Sequence, residues 1–344
     1  MSKKIINRRT EKNGNAIFKA YTGESLAFYI RTEIENIIKD NAEDKVFILD
    51  TTGVFTKAFM GTPADTCSFA TDTAGLSTKN TYKCRLINLG HGNAQHINPL
   101  DRVLGENVGL LLSEKCEMLA DLAETVLGKE LNPYELNTIY KCGEKIYKNL
   151  RPSDTPVFAD FMQSLQEENT PEANKLFMAM ELYCLGSYNV FSKTNIDMAD
   201  DRVIILNLSD VIERAKNFAI RGCLEFIRTY MDPKKELVPS DAKVWTYVPY
   251  KNAITKCYPA FLRDAEKKGS NAAVCIMAPE ITECLPNLDM LNYVSYIGKF
   301  ENAVNGPFEK YINPDYYFEI TPQQKDFYKM FTREEKDLFV KHVD

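Results

Sequence analysis

Residues 16–27 are where this sequence could bind a phosphate. The apolar run AIFKA at 16–20 is followed by the turn YTGE at 21–24, and a helical pattern begins at Ser25. Proteins that bind phosphates place a glycine-rich loop at such a strand-to-helix turn, because free backbone N–H groups and the helix dipole attract anions. The first chemistry to consider is therefore the binding of a nucleotide phosphate.

The residue types that this loop needs are missing. A P-loop reads Gly-x-x-x-x-Gly-Lys-Ser/Thr, in which the lysine contacts the β- and γ-phosphates and the hydroxyl binds magnesium. In the best-fitting register the two glycines, the lysine and the hydroxyl residue are replaced, in order, by Ala20, Ser25, Leu26 and Ala27. Only Gly23 keeps a small residue inside the turn, and Glu24 brings a carboxylate to the helix N-terminus, where a phosphate would have to bind.

A helix and a second strand complete this unit. The spacing of apolar residues through 25–41 predicts a helix with one buried face: Leu26, Ala27, Ile30, Ile34, Ile37 and Ile38. The run KVFILD at 45–50 predicts a buried strand that ends on Asp50. Asp50 has two interpretations: an acid that survives from a nucleotide site, or a strand-terminal aspartate that caps the next turn, which we favour.

Strands and helices alternate along most of the chain, which predicts an α/β fold with a mainly parallel sheet flanked by helices. Further strands are predicted at 83–89, 203–208, 243–248, 272–277 and 316–320, and further helices near 54–59, 108–126, 132–150, 157–166, 171–185, 211–231, 259–268, 321–330 and 332–342. We interpret 1–101 as the first part of the α/β core, 102–198 as an all-helical insertion and 199–344 as the second part with closing helices.

Composition narrows the possible functions. The chain has 344 residues, of which 44% are hydrophobic, so a disordered chain is excluded. Its net charge is -6 and its basic residues are scattered, so we expect no autonomous binding of nucleic acid. No apolar run is long enough to cross a bilayer and no signal peptide is evident, so any membrane contact is expected to come through partners.

Cysteine and histidine usage favours a reducing compartment and no metal site. The nine cysteines are spread singly without a Cys-x-x-Cys pair, as is typical of reduced, buried thiols in the cytosol. His91 and His96 lie five residues apart with no third ligand nearby in the sequence, so we predict no metal.

Six short segments carry a resemblance to a known family: KNGN at 12–15, RTEIEN at 31–36, VFILD at 46–50, HINPLD at 96–101, LYCLGS at 182–187 and TNID at 194–197. Together they resemble the C-terminal ATPase domain of the type IV secretion and conjugation ATPases of the VirB-four type. The resemblance runs from about residue 12 to the end and is weakest at 287–315, where we assign no strand. It implies a RecA-like P-loop NTPase fold, with ATP and magnesium as the family's ligands.

The sequence departs from that family where the family carries its chemistry. The Walker A segment is the altered turn at 20–27. The Walker B strand should end in Asp-Glu, and here Val248 and Pro249 stand at those positions. Ala278 replaces the polar sensor, and Arg263 is the only nearby arginine that could act across a subunit boundary. We therefore predict no catalytic residues, weak or absent binding of ATP and magnesium, and a pseudo-ATPase with a structural or regulatory role.

Two other functions stay open. One is a weak ATPase, or one that a neighbouring subunit completes, that powers type IV secretion or DNA transfer. The other is a domain with a new ligand in the altered pocket, where Glu24 favours a cationic or uncharged molecule. The resemblance implies other conjugation components as partners, an active ATPase paralogue among them, in a homo- or hetero-oligomer at the cytoplasmic face of the membrane. We also expect the family's separate N-terminal domain and its last strand to be absent.

Overall fold

The computed structural model describes residues 14–20, 23–60, 82–90, 92–101, 108–148, 154–232, 237–249, 257–277 and 293–297. The strands in these ranges are β1 Ala16–Ala20, β2 Lys45–Asp50, β3 Cys84–Asn88, β4 Val203–Asn207, β5 Val244–Pro249, β6 Asn271–Met277 and β7 Tyr293–Ile297. The helices are α1 Gly23–Asp40, α2 Val54–Met60, α3 Val108–Leu127, α4 Pro133–Lys148, α5 Phe158–Glu168, α6 Pro171–Cys184, α7 Glu213–Met231 and α8 Cys257–Lys267.

The strands form one sheet in the order β3-β4-β2-β5-β6-β1-β7. The pairs β1–β6, β1–β7, β2–β4, β2–β5 and β5–β6 are all parallel, so the carboxyl ends of these strands share one edge of the sheet. Every residue of β2, β4 and β5 is buried, as expected for strands that helices cover on both faces. The predicted α/β fold with its parallel sheet is confirmed.

Most of the predicted elements within the described ranges begin and end within two residues of their predicted bounds. The strand β7, which pairs with β1, was not predicted. The predicted strand at 316–320 and the two closing helices at 321–330 and 332–342 lie outside the described residues.

The chain divides into two compact units: residues 1–86, 198–207 and 236–344 form the first, and residues 87–197 and 208–235 form the second. The core of the first unit lies between α1 and the sheet. Leu26, Ile30 and Ile34 of α1 are fully buried in one cluster with Phe18 of β1 and Tyr247 of β5. The predicted apolar stripe of α1 thus covers the strands that end at the altered turn.

The second unit has an aromatic core. Its rings lie 5.3 to 6.1 Å apart between centroids and come from Phe158, Tyr183, Phe191 and Phe218. Gly222 of α7 lies against this cluster, and a Cβ atom placed there would be 2.4 Å from the ring of Phe191. The close contact therefore requires a residue without a side chain.

We predict that Gly222→Ala destabilises the protein, although alanine is the better helix former by about 1 kcal/mol. The added methyl group must displace the Phe191 ring, and overpacking of this kind costs about 1 to 3 kcal/mol. Denaturant unfolding measures the difference. Asn137→Ala, at an exposed position of α4, is the control and should leave the free energy of unfolding equal or slightly higher. An unchanged or raised stability of Gly222→Ala would contradict this packing.

The N-terminus of α4 is capped by Asn132, a residue type typical of this position. The side-chain oxygen of Asn132 accepts a hydrogen bond from the Glu135 N–H, and Glu135 Oε2 accepts one from the Asn132 N–H, both at 2.9 Å. Glu135 is also bound by Lys175 Nζ at 2.6 Å and by Lys129 Nζ at 3.0 Å. The hydrogen bond from Lys175, together with the backbone and Lys129 contacts, lowers the pKa of Glu135 from 4.5 to about 2.

This shift predicts a pH-dependent contribution to stability. A carboxylate whose pKa is lower in the folded state stabilises the fold above its unfolded pKa, and the contribution is lost as the pH falls. For Glu135 the loss lies between pH 4.5 and about 2. The stability difference between the wild type and Glu135→Gln should therefore be constant near neutrality and shrink below pH 4.5, as urea unfolding at several pH values would show. Glu117→Gln, at an exposed position of α3, is the control. A difference that is independent of pH would contradict the assignment.

Candidate functional site

The sheet places the altered turn and the Walker B positions at the same edge. Ala20 ends β1 and pairs with Met277 of β6 and Ile297 of β7. The strand β6 lies between β1 and β5, so Pro249 at the end of β5 is two strands away, roughly 10 Å across the sheet. The helix α1 begins at Gly23, and Glu24 and Ser25 lie in its first turn. The end of β1 and the first turn of α1 therefore lie where a phosphate site of this fold would need them, and residues 21–22 between them lie outside the described ranges.

The side chain at the lysine position faces the core. Leu26 has no exposed surface and belongs to the buried cluster between α1 and the sheet, and Ala27 beside it is also fully buried. A P-loop lysine must instead reach the phosphates at the edge of the sheet. Leu26 thus provides neither the charge nor the direction that phosphate binding needs.

The end of β5 is apolar. Val248 is fully buried and Pro249 is buried behind it. The carbonyl oxygen of Pro249 accepts a hydrogen bond of 2.6 Å from the hydroxyl of Tyr258, a buried residue of α8. Neither residue has an oxygen on its side chain that could bind magnesium or orient a water molecule.

Asp50 ends β2 and caps the loop that follows. Its Oδ1 accepts hydrogen bonds from the N–H groups of Thr52, at 3.2 Å, and Gly53, at 2.8 Å. Its Oδ2 accepts one from the N–H of Thr56, in the first turn of α2, at 2.7 Å. Both oxygens of this fully buried carboxylate are therefore used within the chain. This is the capping role that the sequence favoured.

One buried polar contact near these strands was not predicted. Glu33 lies on the inward face of α1, and its Oε2 accepts a hydrogen bond of 2.7 Å from the hydroxyl of Tyr247, two residues before Pro249. The available signal was an acidic residue within the apolar stripe of α1. Helical periodicity alone could not identify Tyr247, which lies 214 residues further along the chain, as its partner.

Among the residues that the structure describes, no three His, Cys, Asp or Glu side chains are grouped so that they could hold a metal ion. Arg263 is exposed on α8, and Ala278 lies outside the described ranges. The seven cysteines in those ranges are all free. None of the described helices is long and apolar enough to cross a membrane.

Comparison with solved structures bears on the fold. The structure of VirB4 of Thermoanaerobacter pseudethanolicus matches with a TM-score of 0.57 and 14% sequence identity, over 97% of this chain and 85% of that chain. The chain has the fold of VirB4. The RecA-like P-loop NTPase fold predicted from the sequence is therefore confirmed.

Two structures of the bacterial conjugative coupling protein TrwB also match, one unbound and one in complex with ADP and Mg²⁺. They have TM-scores of 0.47 and 0.48 and identities of 12% and 10%, and cover 81% of this chain and 67% and 68% of theirs. Scores below 0.5 are too low to establish a shared fold, so the assignment depends on VirB4. No protein-family model and no curated protein matches the sequence.

Two segments that carry the resemblance in sequence lie together in the second unit. The N–H of Asn98 donates to Thr194 Oγ1 at 2.9 Å, and Thr194 Oγ1 donates to Asp101. The N–H of His96 donates to the side chain of Asn195 at 2.9 Å. Burial raises the pKa of Asp101. The HINPLD and TNID segments thus form one hydrogen-bonded connection in the second unit, to which His96 contributes through its backbone N–H.

We predict that Asp50→Ala lowers the free energy of unfolding by about 2 to 3 kcal/mol, because three backbone N–H groups lose their acceptor. Chemical denaturation measures the loss. Asp200→Ala, an exposed aspartate in a loop, should change stability by less than about 0.5 kcal/mol. A fall in nucleotide binding with unchanged stability would contradict the capping role and indicate a surviving nucleotide-site acid.

Proposed function

We propose that this chain is a pseudo-ATPase: a degenerate homologue of the conjugation and type IV secretion ATPases that acts as a structural or regulatory component of a conjugative transfer machine. The observation that carries the proposal is the burial of Leu26 in the core at the lysine position. The apolar end of β5, at Val248 and Pro249, supports it independently. The similarity of the fold to that of VirB4 supports the proposed family and does not bear on ATPase activity.

The binding energy of the missing groups favours a chain without ATPase activity over a weak ATPase. A hydrogen bond to a charged group contributes roughly 1.5 to 3 kcal/mol, and each ~1.4 kcal/mol changes affinity tenfold. Loss of the lysine together with the magnesium ligands would turn a micromolar ATP site into a millimolar or weaker one. Hydrolysis suffers more, because phosphoryl transfer depends on positioning and on charge stabilisation by these same groups.

The proposal places the chain among other components of the transfer machine, an active ATPase paralogue included, at the cytoplasmic face of the membrane. Such a role needs a folded surface and no nucleotide, since a fold can persist after its chemistry is lost. The second candidate is an ATPase that a neighbouring subunit completes. The backbone framework at the sheet edge, where α1 still begins at Gly23 beside the end of β1, favours this candidate enough to test it.

Thermal melting with Mg-ATP tests nucleotide binding. A micromolar site would gain about 4 kcal/mol at ATP concentrations of about 1000 times Kd, whereas a millimolar site gains only a few tenths at about 1 mM. We predict a shift in Tm of less than about 1 °C at 1 mM Mg-ATP and no phosphate release above the buffer rate. A shift of several degrees that requires magnesium, together with turnover, would overturn the proposal.

The variant Leu26→Lys gives a sharper test. In a site that lacks only its lysine, this change should restore Mg-ATP binding. We predict instead a loss of about 3 kcal/mol or more in stability and no binding, because the change buries a charge in the core. Asn36→Lys, at an exposed position of the same helix, is the control and should melt like the wild type. Restored ATP binding by Leu26→Lys would contradict the core position.

Mixing this chain with an active ATPase distinguishes the pseudo-ATPase from the ATPase that a neighbouring subunit completes. The wild type is added to an active ATPase of the same transfer machine, and turnover is measured against the active protein alone. For a structural component we predict binding without additional turnover that depends on nucleotide sites of this chain. Additional Mg-ATP turnover that rises with the amount of this chain would support the completed-ATPase function and contradict the pseudo-ATPase.

A further inference from the structure

The outer face of α6 exposes large apolar side chains on successive turns, whereas α4 exposes Tyr134 and Leu136 near its N-terminus. The exposed sides of α4 and α5 carry ion pairs, such as Lys141 with Glu168 at 2.6 Å and Lys145 with Glu167 at 2.7 Å. On α6, by contrast, large apolar side chains are exposed. Met178 is 70% exposed, Leu182 51% and Leu185, directly after the helix, 48%.

These residues belong to a complete helical seam. The opposite face of α6 already packs into the core through Ala173, Leu176, Met180 and Cys184. The exposed seam has the 3-4 spacing typical of helices that pair. Its members, all exposed, are Pro171, Asn174, Lys175, Met178, Glu181, Leu182 and Leu185. We call this set the α6 seam.

The order of residues in the α6 seam is self-complementary. Met178 is its midpoint, and the other members lie three, four and seven residues to either side. In an antiparallel pair of α6 helices with a two-fold axis at Met178, position 175 faces position 181 of the second copy. Lys175 then meets Glu181 twice, once on each side of the axis. Leu182 lies over the short Asn174, and Leu185 lies over the ring of Pro171.

We infer that a second copy of this chain docks on the α6 seam, with the two α6 helices antiparallel around Met178. The arrangement of charges favours a second copy of this chain over an unrelated partner. The single lysine and the single glutamate of the seam lie at equal distances on opposite sides of its midpoint, so each meets its opposite charge in an antiparallel pair. A parallel pair would place Lys175 against Lys175 and Glu181 against Glu181. The inference is independent of the nucleotide site.

Lys175 can make this contact without losing the one that it has. Its Nζ donates to Glu135 Oε1 of its own chain at 2.6 Å, yet its side chain remains 51% exposed. An ammonium group has three donors, so one can bind Glu135 while another reaches Glu181 of the second copy. Glu135 therefore positions the lysine for the interface.

The contact is small, which sets the expected affinity. A seam of seven residues along one helix buries less than the ~800 Å² per partner of a typical stable interface. We expect a weak, reversible dimer whose dissociation constant is about 10 to 100 μM. Sedimentation velocity from about 5 to 500 μM covers this range. It should show a monomer that converts to a dimer and no larger species from this surface.

Charge reversal tests the antiparallel register. Glu181→Lys and Lys175→Glu each place like charges opposite one another twice, so each variant alone should dimerise about 10-fold more weakly or worse. Mixing the two variants restores both opposite-charge contacts between the copies, and the mixed dimer should bind more tightly than either variant alone. The control is Glu117→Lys, at an exposed position of α3, which should leave the dissociation constant unchanged. Weakening without recovery on mixing would overturn the register.

A cysteine at the midpoint tests the axis directly. Met178→Cys brings two thiols together at the two-fold axis, so mild oxidation should give a cross-linked dimer on non-reducing gels. Asn137→Cys, exposed on α4, and the wild type should give no cross-linked dimer on the same gels. Circular dichroism shows that each variant is folded. A wild type that stays monomeric at 500 μM, or a Met178→Cys variant that does not cross-link, would overturn the inference.

Discussion

Leu26 packs into the core between α1 and the sheet, at the position where a nucleotide site of this fold needs a charged lysine at the edge. One residue cannot serve both purposes, because a side chain that fills the core cannot also reach a phosphate in solvent. Burial of a leucine contributes about 1.5 to 3 kcal/mol to folding, whereas a buried lysine charge is strongly unfavourable. Leu26, which the sequence register predicts at the lysine position, is thus part of the core of the first unit.

The residues predicted at the Walker B positions, and Asp50, follow the same pattern. At the end of β5 the chain has a buried valine and a proline whose carbonyl oxygen is bonded to Tyr258. Asp50 uses both of its oxygens to cap the loop that leads to α2. Val248, Pro249 and Asp50 are thus committed to packing or to backbone hydrogen bonds.

The sequence predicted the elements with strong periodic or capping signals and missed contacts between distant residues. The apolar stripe of α1 and the Asn132 cap of α4 are local, so periodicity and residue type identify them. The strand β7 lies in a segment without clear boundaries, and its pairing with β1 decides its structure. The bond between Glu33 and Tyr247, and the salt bridge of Glu135 with Lys175, join residues that local patterns cannot connect.

An experimental structure obtained with several millimolar Mg-ATP tests the central claim most directly. The account predicts Leu26 in the core, Val248 and Pro249 packed at the end of β5, and no nucleotide density at the β1–α1 turn. A triphosphate with its metal bound at that turn, contacted by the backbone N–H groups of the first turn of α1, would contradict it.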